Sequence, residues 1–444
     1  MESLTDKVKE MEKEEIVNAL IDCNWVMSRA ARKLGITERM IGYRIKKYDI
    51  RKEDVVKNSK QETDKKRNKE ERMKKKFYKV GLLVFMIFAL VTGAQAEEKK
   101  TAGMTAEDIK NALGLSIYLQ GGFIYNFVNP DSQENELRVF DHKANSFTLD
   151  LAQLVFAKDA PMNGIGFKLK LSAGETAKFI HASGLGQADD EFDLTEAYVQ
   201  YLAPIGKGLK FTFGKFVTYH GAEVIEAKDN PNYSRSFLFN YAIPFTHTGL
   251  MISYPFSKAL NVSVHIVNGW DNFNDNNKGK TVGVSIGVSP MEQLSMTFNL
   301  MHGPEKDDNN SDNRFLFDWV GIVKPMKNLS FILNTDYASE QHSAPDGGTA
   351  KWYGISGIAK YDVNNRYSLS IRAEYFKDKD GVRTGVAQSL KEITITPEIR
   401  LAQGLILRPE YRHDWYNEKV FDSYRDELNK KNQDTIALAV MYTW

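Results

Sequence analysis

From about residue 115 to the last residue, hydrophobic and polar positions alternate with a period of two. Leu294, Met296, Phe298 and Leu300 fall on one side of a strand-length run, with Ser295, Thr297 and Asn299 on the other. Further along, Leu329, Phe331, Leu333 and Tyr337 alternate with Ser330, Asn334 and Asp336. Leu369, Ile371 and Tyr375 alternate with Ser368, Ser370, Arg372 and Glu374. Successive side chains of a strand point to opposite faces, so this period predicts a sheet with one apolar and one polar face. About sixteen strands are predicted, near 115–126, 146–158, 164–173, 193–202, 209–217, 246–254, 260–270 and 281–288, then 294–302, 314–323, 329–337, 350–361, 367–375, 389–401, 405–415 and 435–444. Many have 9–11 residues, the length a tilted strand needs to cross the hydrocarbon layer.

Soluble sandwiches also alternate, so connection lengths decide the class. Short turns at 159–163, 203–208, 255–259, 289–293, 324–328, 362–366 and 402–404 alternate with long polar loops. The long ones are 127–145, 174–192, 218–245, 271–280, 303–313, 338–349, 376–388 and 416–434. An even strand number with alternating short and long connections predicts an antiparallel transmembrane β-barrel. Closure matters because an open sheet edge would leave backbone groups unsatisfied in lipid. The last strand places Ile436, Leu438, Val440, Tyr442 and Trp444 on one face.

The beginning of the chain has a different period. Ile16, Val17, Leu20 and Ile21 recur at helical spacing, as do Ala30, Ala31 and Leu34. Gly35 ends that second helix, and Thr37 can cap a third from Glu38 to about Tyr48, with Ile41 and Ile45 inward. A short helix, a glycine turn and a basic helix predict an all-α helix-turn-helix. Eight basic and two acidic residues between Arg29 and Arg51 favour phosphate contact. Residues 53–72 are charged, lack a core-forming period, and read as linker.

Residues 73–96 (MKKKFYKVGLLVFMIFALVTGAQA) have four lysines, an apolar run of about twelve residues and the small-residue end Ala94-Gln95-Ala96. That is a secretory signal peptide, too short to span a membrane, with cleavage expected before Glu97. The expected organisation is therefore 1–52 helix-turn-helix, 53–72 linker, 73–96 internal signal, 97–114 periplasmic segment and 115–444 barrel.

Charge sharpens this division. Residues 1–72 carry 19 basic and 15 acidic residues, 73–96 carry four basic and none acidic, and the remainder has 36 basic against 43 acidic. The single cysteine, Cys23, lies in the head, as fits an exported body without disulfides.

Three resemblances follow from these segments. The run NWVMSRAARKLGITERMIGYRIKKYDI resembles the Fis-type domain that closes sigma-54-dependent activators of the nitrogen-fixation type. It implies that Thr37, Arg39, Met40, Tyr43, Arg44 and Lys47 lie in the major groove of DNA. The ATPase domain that normally precedes such a module has no counterpart here. The runs GLKFTFGKFVTYHGAEVI and SRSFLFNYAIPFTHTGLMISYP resemble the OmpL-like family of β-barrel porins, implying an outer-membrane channel. The aromatic end, Tyr442 and Trp444, resembles the signal read by barrel-assembly machinery.

Function is expected inside the barrel. Arg372, Glu374, Glu398, Arg400, Arg408, Glu410, Arg412 and Asp414, with Lys168, Lys170 and Lys210, are the expected pore-lining set. Mixed charge there would make a polar path for small solutes or ions. By analogy with general porins, the longest loop, 218–245, is expected to fold inward. The Asp/Asn-rich stretches after Asp271 and Glu305 lack the spacing of a Ca²⁺ loop and read as solvated. The eight histidines, all after residue 96, carry no nucleophile motif, so no catalytic residue, metal or cofactor is expected. Expected partners are outer-membrane lipid, the assembly machinery, small solutes, DNA for the head, and copies of the chain in a homo-trimer.

The head and the barrel need opposite compartments. The favoured reading is a porin beginning at Met73, with the head derived from an upstream regulator by fusion or a mis-set start. Codons for Lys69-Glu70-Glu71-Arg72 permit a purine-rich ribosome-binding string, which the gene sequence would reveal. The alternative is a sequence-specific regulator with a non-functional or membrane-tethering barrel.

Overall fold

The computed structural model describes residues 13–20, 30, 33, 34, 45, 48, 50, 114–186, 190–423 and 426–444. The chain divides into two compact units, Met1–Gly103 and Met104–Trp444. In the first, residues 13–20 are helical, and Ile16, Ala19, Leu20, Ala30 and Ile50 form a buried cluster. Val17, Leu34, Ile45 and Tyr48 pack against it. The Leu34 N–H donates to the Ala30 carbonyl at 3.0 Å, one helical turn back. The described members of the expected helical faces thus meet in one core. Thr37, Arg39, Met40, Tyr43, Arg44 and Lys47, the signal segment with Ala94, Ala96 and Glu97, and the expected periplasmic segment up to residue 113 lie outside the described residues.

Sixteen antiparallel strands close a barrel in the second unit. The first eight are β1 (Leu115–Asn126), β2 (Ser146–Lys158), β3 (Gly164–Ala173), β4 (Phe192–Ala203), β5 (Leu209–Val217), β6 (Thr246–Pro255), β7 (Leu260–Val267) and β8 (Thr281–Met291). Seven more follow: β9 (Leu294–Pro304), β10 (Asn313–Met326), β11 (Leu329–Glu340), β12 (Ala350–Asp362), β13 (Tyr367–Asp378), β14 (Gln388–Ala402) and β15 (Leu405–Tyr416). A separate hairpin, β16 (Phe421–Ser423) and β17 (Asp426–Lys430), precedes β18 (Asn432–Thr443), which completes the barrel. β18 pairs with both β15 and β1, so no edge strand remains. The Trp444 backbone exchanges two 3.0 Å hydrogen bonds with Ile117 and extends the closure to the last residue.

The alternation sets the two faces. Ile436, Leu438, Val440 and Tyr442 are exposed on the outer wall, whereas Thr435, Ala437, Ala439 and Met441 are buried inside. On β13, Leu369 and Ile371 face out, while Ser368, Ser370, Arg372 and Glu374 face in. Boundaries shift by a few residues. β7 ends at Val267, because Gly269 takes a left-handed φ of 120° and turns the chain away. β10 extends to Met326 and β18 begins at Asn432. Three connections read as loops hold regular structure: 174–192 with α1 (Glu175–Ile180), 218–245 with a 3-10 turn (Ala227–Asp229) and a π-helical turn (Leu238–Ala242), and 416–434 with the β16–β17 hairpin.

Candidate functional site

The connection between β5 and β6, residues 218–245, is the segment that the inner wall holds through many of its buried charges. Its second half, SFLFNYAIPF, is too apolar for a solvated loop and must find cover. It does so inside the barrel, where Phe237, Leu238, Phe239, Ala242 and Ile243 are almost fully buried. The chain folds first on itself. Asn230 closes a turn by accepting the Val224 N–H at 2.9 Å and donating to the Val224 carbonyl at 2.7 Å. Arg235, 1 % exposed, donates to the carbonyls of Val224, Ile225 and Tyr233 and rivets the two halves together. Glu223 accepts the Ser236 N–H at 2.7 Å.

The barrel wall then grips this folded loop by its backbone. Glu410 accepts the N–H groups of Tyr233 at 2.7 Å and Ser234 at 3.0 Å, one on each carboxylate oxygen. Glu374 does the same for Phe237 and Leu238, both at 2.6 Å. Arginines meet the carbonyls: Arg408 donates to Ala227 (2.6 Å) and Asn232 (3.2 Å), Arg412 to Arg235 (2.7 Å) and Arg372 to Ser234 (2.7 Å). Each such charge-assisted bond contributes roughly 1.5–3 kcal/mol in a buried setting. On the wall formed by β2 and β3, the hydroxyl of Tyr233 donates to Asp150 at 2.8 Å, and Lys170 pairs with Glu226 at 2.8 Å. The root of the loop is held by Asp318, which accepts the Gly221 N–H at 3.0 Å, and by Asn334, which accepts that of Ala222 at 3.0 Å. Walls from β2 to β15 are therefore bridged through one loop.

All eleven residues expected to line the pore face the lumen, in two groups. Arg372, Glu374, Arg408, Glu410, Arg412 and Asp414 are buried as the seat of the loop. They are also paired: Arg372 with Glu392 (2.6 Å) and Glu223 (2.7 Å), Arg408 with Glu398 (2.6 Å), and Arg412 with Asp414 (2.7 Å). Lys170 is buried between Glu226 and Glu196, and Glu398 between Arg408 and Arg400. Lys168, Lys210 and Arg400 keep partial exposure nearer the short-turn end, where Arg400 bridges Glu398 at 2.8 Å and Asp362 at 3.2 Å. Of the two residues expected to form an assembly signal, Tyr442 faces outward beside Leu119 and Leu405.

Reading by alternation missed Glu223, Glu226 and Arg235, because a loop has no period to follow, and Asp150 on β2, which sits where the pairing with β1 shifts register between Gln120 and Gly121. It also missed the outer half of the lumen, where Trp352, Phe376, Leu390 and Tyr416 face inward and pack on the loop. The signal was present: these apolar residues occupy the inward parity at strand ends, which a water-filled lumen would keep polar. Arg138, from the β1–β2 connection, adds a bridge to Asp414 at 2.5 Å over the same core. The Asp/Asn-rich loops pair internally, Lys306 with Asp312 and Lys280 with Asp275.

Glu226 makes the grip sensitive to acid. Burial alone would raise its pKa, but the Lys170 ammonium, with hydrogen bonds from Lys170 and Gln153, outweighs burial and holds the carboxyl at about 2. A depressed acid stabilises the fold above its unfolded value near 4.5, and the contribution is lost as pH falls through 2. Unfolding stability is expected to drop by on the order of 3 kcal/mol between pH 5 and pH 2 from this group. A Glu226→Gln variant should lack that part of the pH dependence. An unchanged pH profile in the variant would contradict it.

Residues 112–444 match the family described as "Putative beta-barrel porin-2, OmpL-like", and residues 7–48 match "Bacterial regulatory protein, Fis family". No curated protein matches the chain in sequence. Among solved structures, the outer-membrane channel DcaP of Acinetobacter baumannii superposes with a TM-score of 0.52 at 10% identity, covering 74% of this chain and 96% of that one. An anion-selective porin from Comamonas acidovorans gives 0.51 at 9% identity, covering 74% and 98%. The trimer form of OmpT from Vibrio cholerae gives 0.50 at 13% identity, again covering 74% and 98%. At these identities the likeness is one of fold. The match over three quarters of the sequence settles the family: the chain belongs to the OmpL-like β-barrel porins and carries a Fis-type helix-turn-helix segment ahead of the barrel.

Proposed function

We propose that the barrel is an outer-membrane channel for passive diffusion of small solutes or ions, with the 218–245 loop as its constriction. The supporting observation is the cross-section: an apolar outer band, an inner wall of paired charges, and one loop spanning the interior. Outer-membrane lipid would cover the band, and the assembly machinery would read Tyr442 and Trp444. The trimer form of one structural neighbour supports assembly as a homo-trimer. Enzymatic chemistry has less support. Ser263 Oγ and His265 Nε2 lie 2.9 Å apart, but His265 Nδ1 has no hydrogen-bond partner among the described residues, so no acid orients the ring.

Residues 73–96 act in this reading as the signal, cut after Ala96, and the Fis-type segment is the remnant of an upstream regulator that would bind DNA only in the cytoplasm. N-terminal sequencing of the protein from outer-membrane fractions is expected to begin at Glu97. A mature outer-membrane protein that keeps residues 1–72 would contradict this. In that case the Fis-type segment would belong to the product, and the regulator reading would gain.

A further inference from the structure

The short-turn end of the lumen differs in charge logic from the loop seat above it. At that end the inward carboxylates are already engaged. Glu196 bridges Lys168 at 2.7 Å and Lys170 at 2.8 Å. Glu398 bridges Arg400 at 2.8 Å and Arg408 at 2.6 Å, and Asp362 bridges Arg400 at 3.2 Å. Lys210 is different. It faces inward on β5 opposite Leu202 and Ser253, is half-buried, and its ammonium has no carboxylate within 4 Å and no hydrogen bond among the described residues. A cation left in a partly dehydrated wall without a counter-charge attracts anions more strongly than one in open water.

Lys210 also borders space. A cavity of about 540 Å³ opens on the inner wall between β4 and β7, lined by Gln200, Lys207, Lys210, Ser253, Asn261 and Asp159 among others. Gln200, Ser253 and Asn261 offer amide and hydroxyl donors. The Lys207 ammonium, held to the Phe256 carbonyl at 2.6 Å, sits beside them. Asp159, exposed in the β2–β3 turn, is the one opposing charge in this lining. The cavity is large enough for a multi-atom solute, and its donors converge with an unpaired ammonium.

We propose that this cavity is a binding site for small oxyanions bearing carboxylate or phosphate groups, with Lys210 as the charge that selects them. The proposal rests on the channel reading and gives it a solute class: anions entering or leaving on the short-turn side would pause here before or after the loop constriction. Lys210 touches the solute, whereas Lys207, Gln200, Ser253 and Asn261 supply hydrogen bonds around it. Carboxylate and phosphate share the chemistry, and the two probes below separate them.

The test uses the full barrel, refolded in detergent, and titration calorimetry with inorganic tripolyphosphate and, separately, citrate. Saturable binding is expected for at least one probe, weakened about tenfold by Lys210→Glu. Lys258→Glu, in the exposed β6–β7 turn outside the lining, should leave binding at the wild-type level. Binding of both probes that Lys210→Glu leaves unchanged, or that Lys258→Glu weakens equally, would overturn the site in favour of diffuse surface charge. So would no saturable binding of either probe. Calorimetry needs no conduction, so a silent membrane recording would count against the channel reading while this site stands or falls separately. In a conducting barrel, tripolyphosphate added on the short-turn side alone should reduce current, and Lys210→Glu should relieve it.

Discussion

Excising residues 224–241, the part of the inner loop that crosses the lumen, is expected to raise single-channel conductance by roughly tenfold. A sixteen-stranded barrel without an interior segment encloses an aqueous channel. In this chain that space is filled by a loop whose residues from Phe237 to Phe239 are no more than 2 % exposed. The wall positions beneath it are also closed off, with Arg372 at 0 % and Arg408 and Arg412 at 1 %. Removing the loop would hydrate these charges together with Glu374, Glu392 and Glu410, producing a wide path lined by both signs. The barrel itself should persist, because its sixteen strands pair with each other and not with the loop. Ion selectivity should weaken at the same time, since a wide lumen screens each wall charge with water.

The second large effect is on stability. Arg372→Met is expected to cost roughly 3–5 kcal/mol, because it removes the one cation that both Glu223 and Glu392 touch and leaves their carboxylates buried. It also removes the donors to the Ser234 carbonyl and hydroxyl, so the loop loses a wall contact at the same stroke. Arg400→Met is the matched control. Arg400 and Asp362 are each about a third exposed, and Glu398 keeps its bridge to Arg408 when Arg400 is removed, so the loss is expected to stay near the roughly 0–1 kcal/mol of exposed pairs. Denaturant unfolding of the refolded barrels in detergent should separate the two variants clearly. Equal costs would mean that the buried bridges at the loop seat carry no special stability.

Much of this architecture is legible in the sequence because a membrane barrel obeys a simple rule. Each strand must alternate, each end must turn, and lipid tolerates no unpaired edge, so period and connection length together fix the strand count. Positions such as Leu369/Ser370 and Leu438/Ala439 declare their faces without any tertiary information. The helix-turn-helix core is legible for a related reason, since Ile16, Leu20 and Ala30 follow the helical period.

The site was legible only in part. The charged inward ladder of β13 to β15 stands out by parity, yet parity cannot say what covers it. Arg372 reads as a residue facing water, whereas it faces the backbone of Ser234. Burial of charge there depends on a contact 138 residues away in sequence. The loop's apolar run and the inward Trp352, Phe376 and Leu390 were the local clues, and each makes sense only when the two are placed together. Lys210 shows the reverse case. It looks like one more charge in the ladder until its neighbours are counted, and then it is a lysine with no acid within 4 Å.

The paired planar-bilayer recording, with the wild-type barrel beside the chain lacking residues 224–241, tests the loop-constricted channel most directly. Both proteins are expected to insert and give discrete conductance steps, with the excised chain about tenfold larger. Equal step sizes, or silence from a wild-type barrel shown to be folded and inserted, would contradict it.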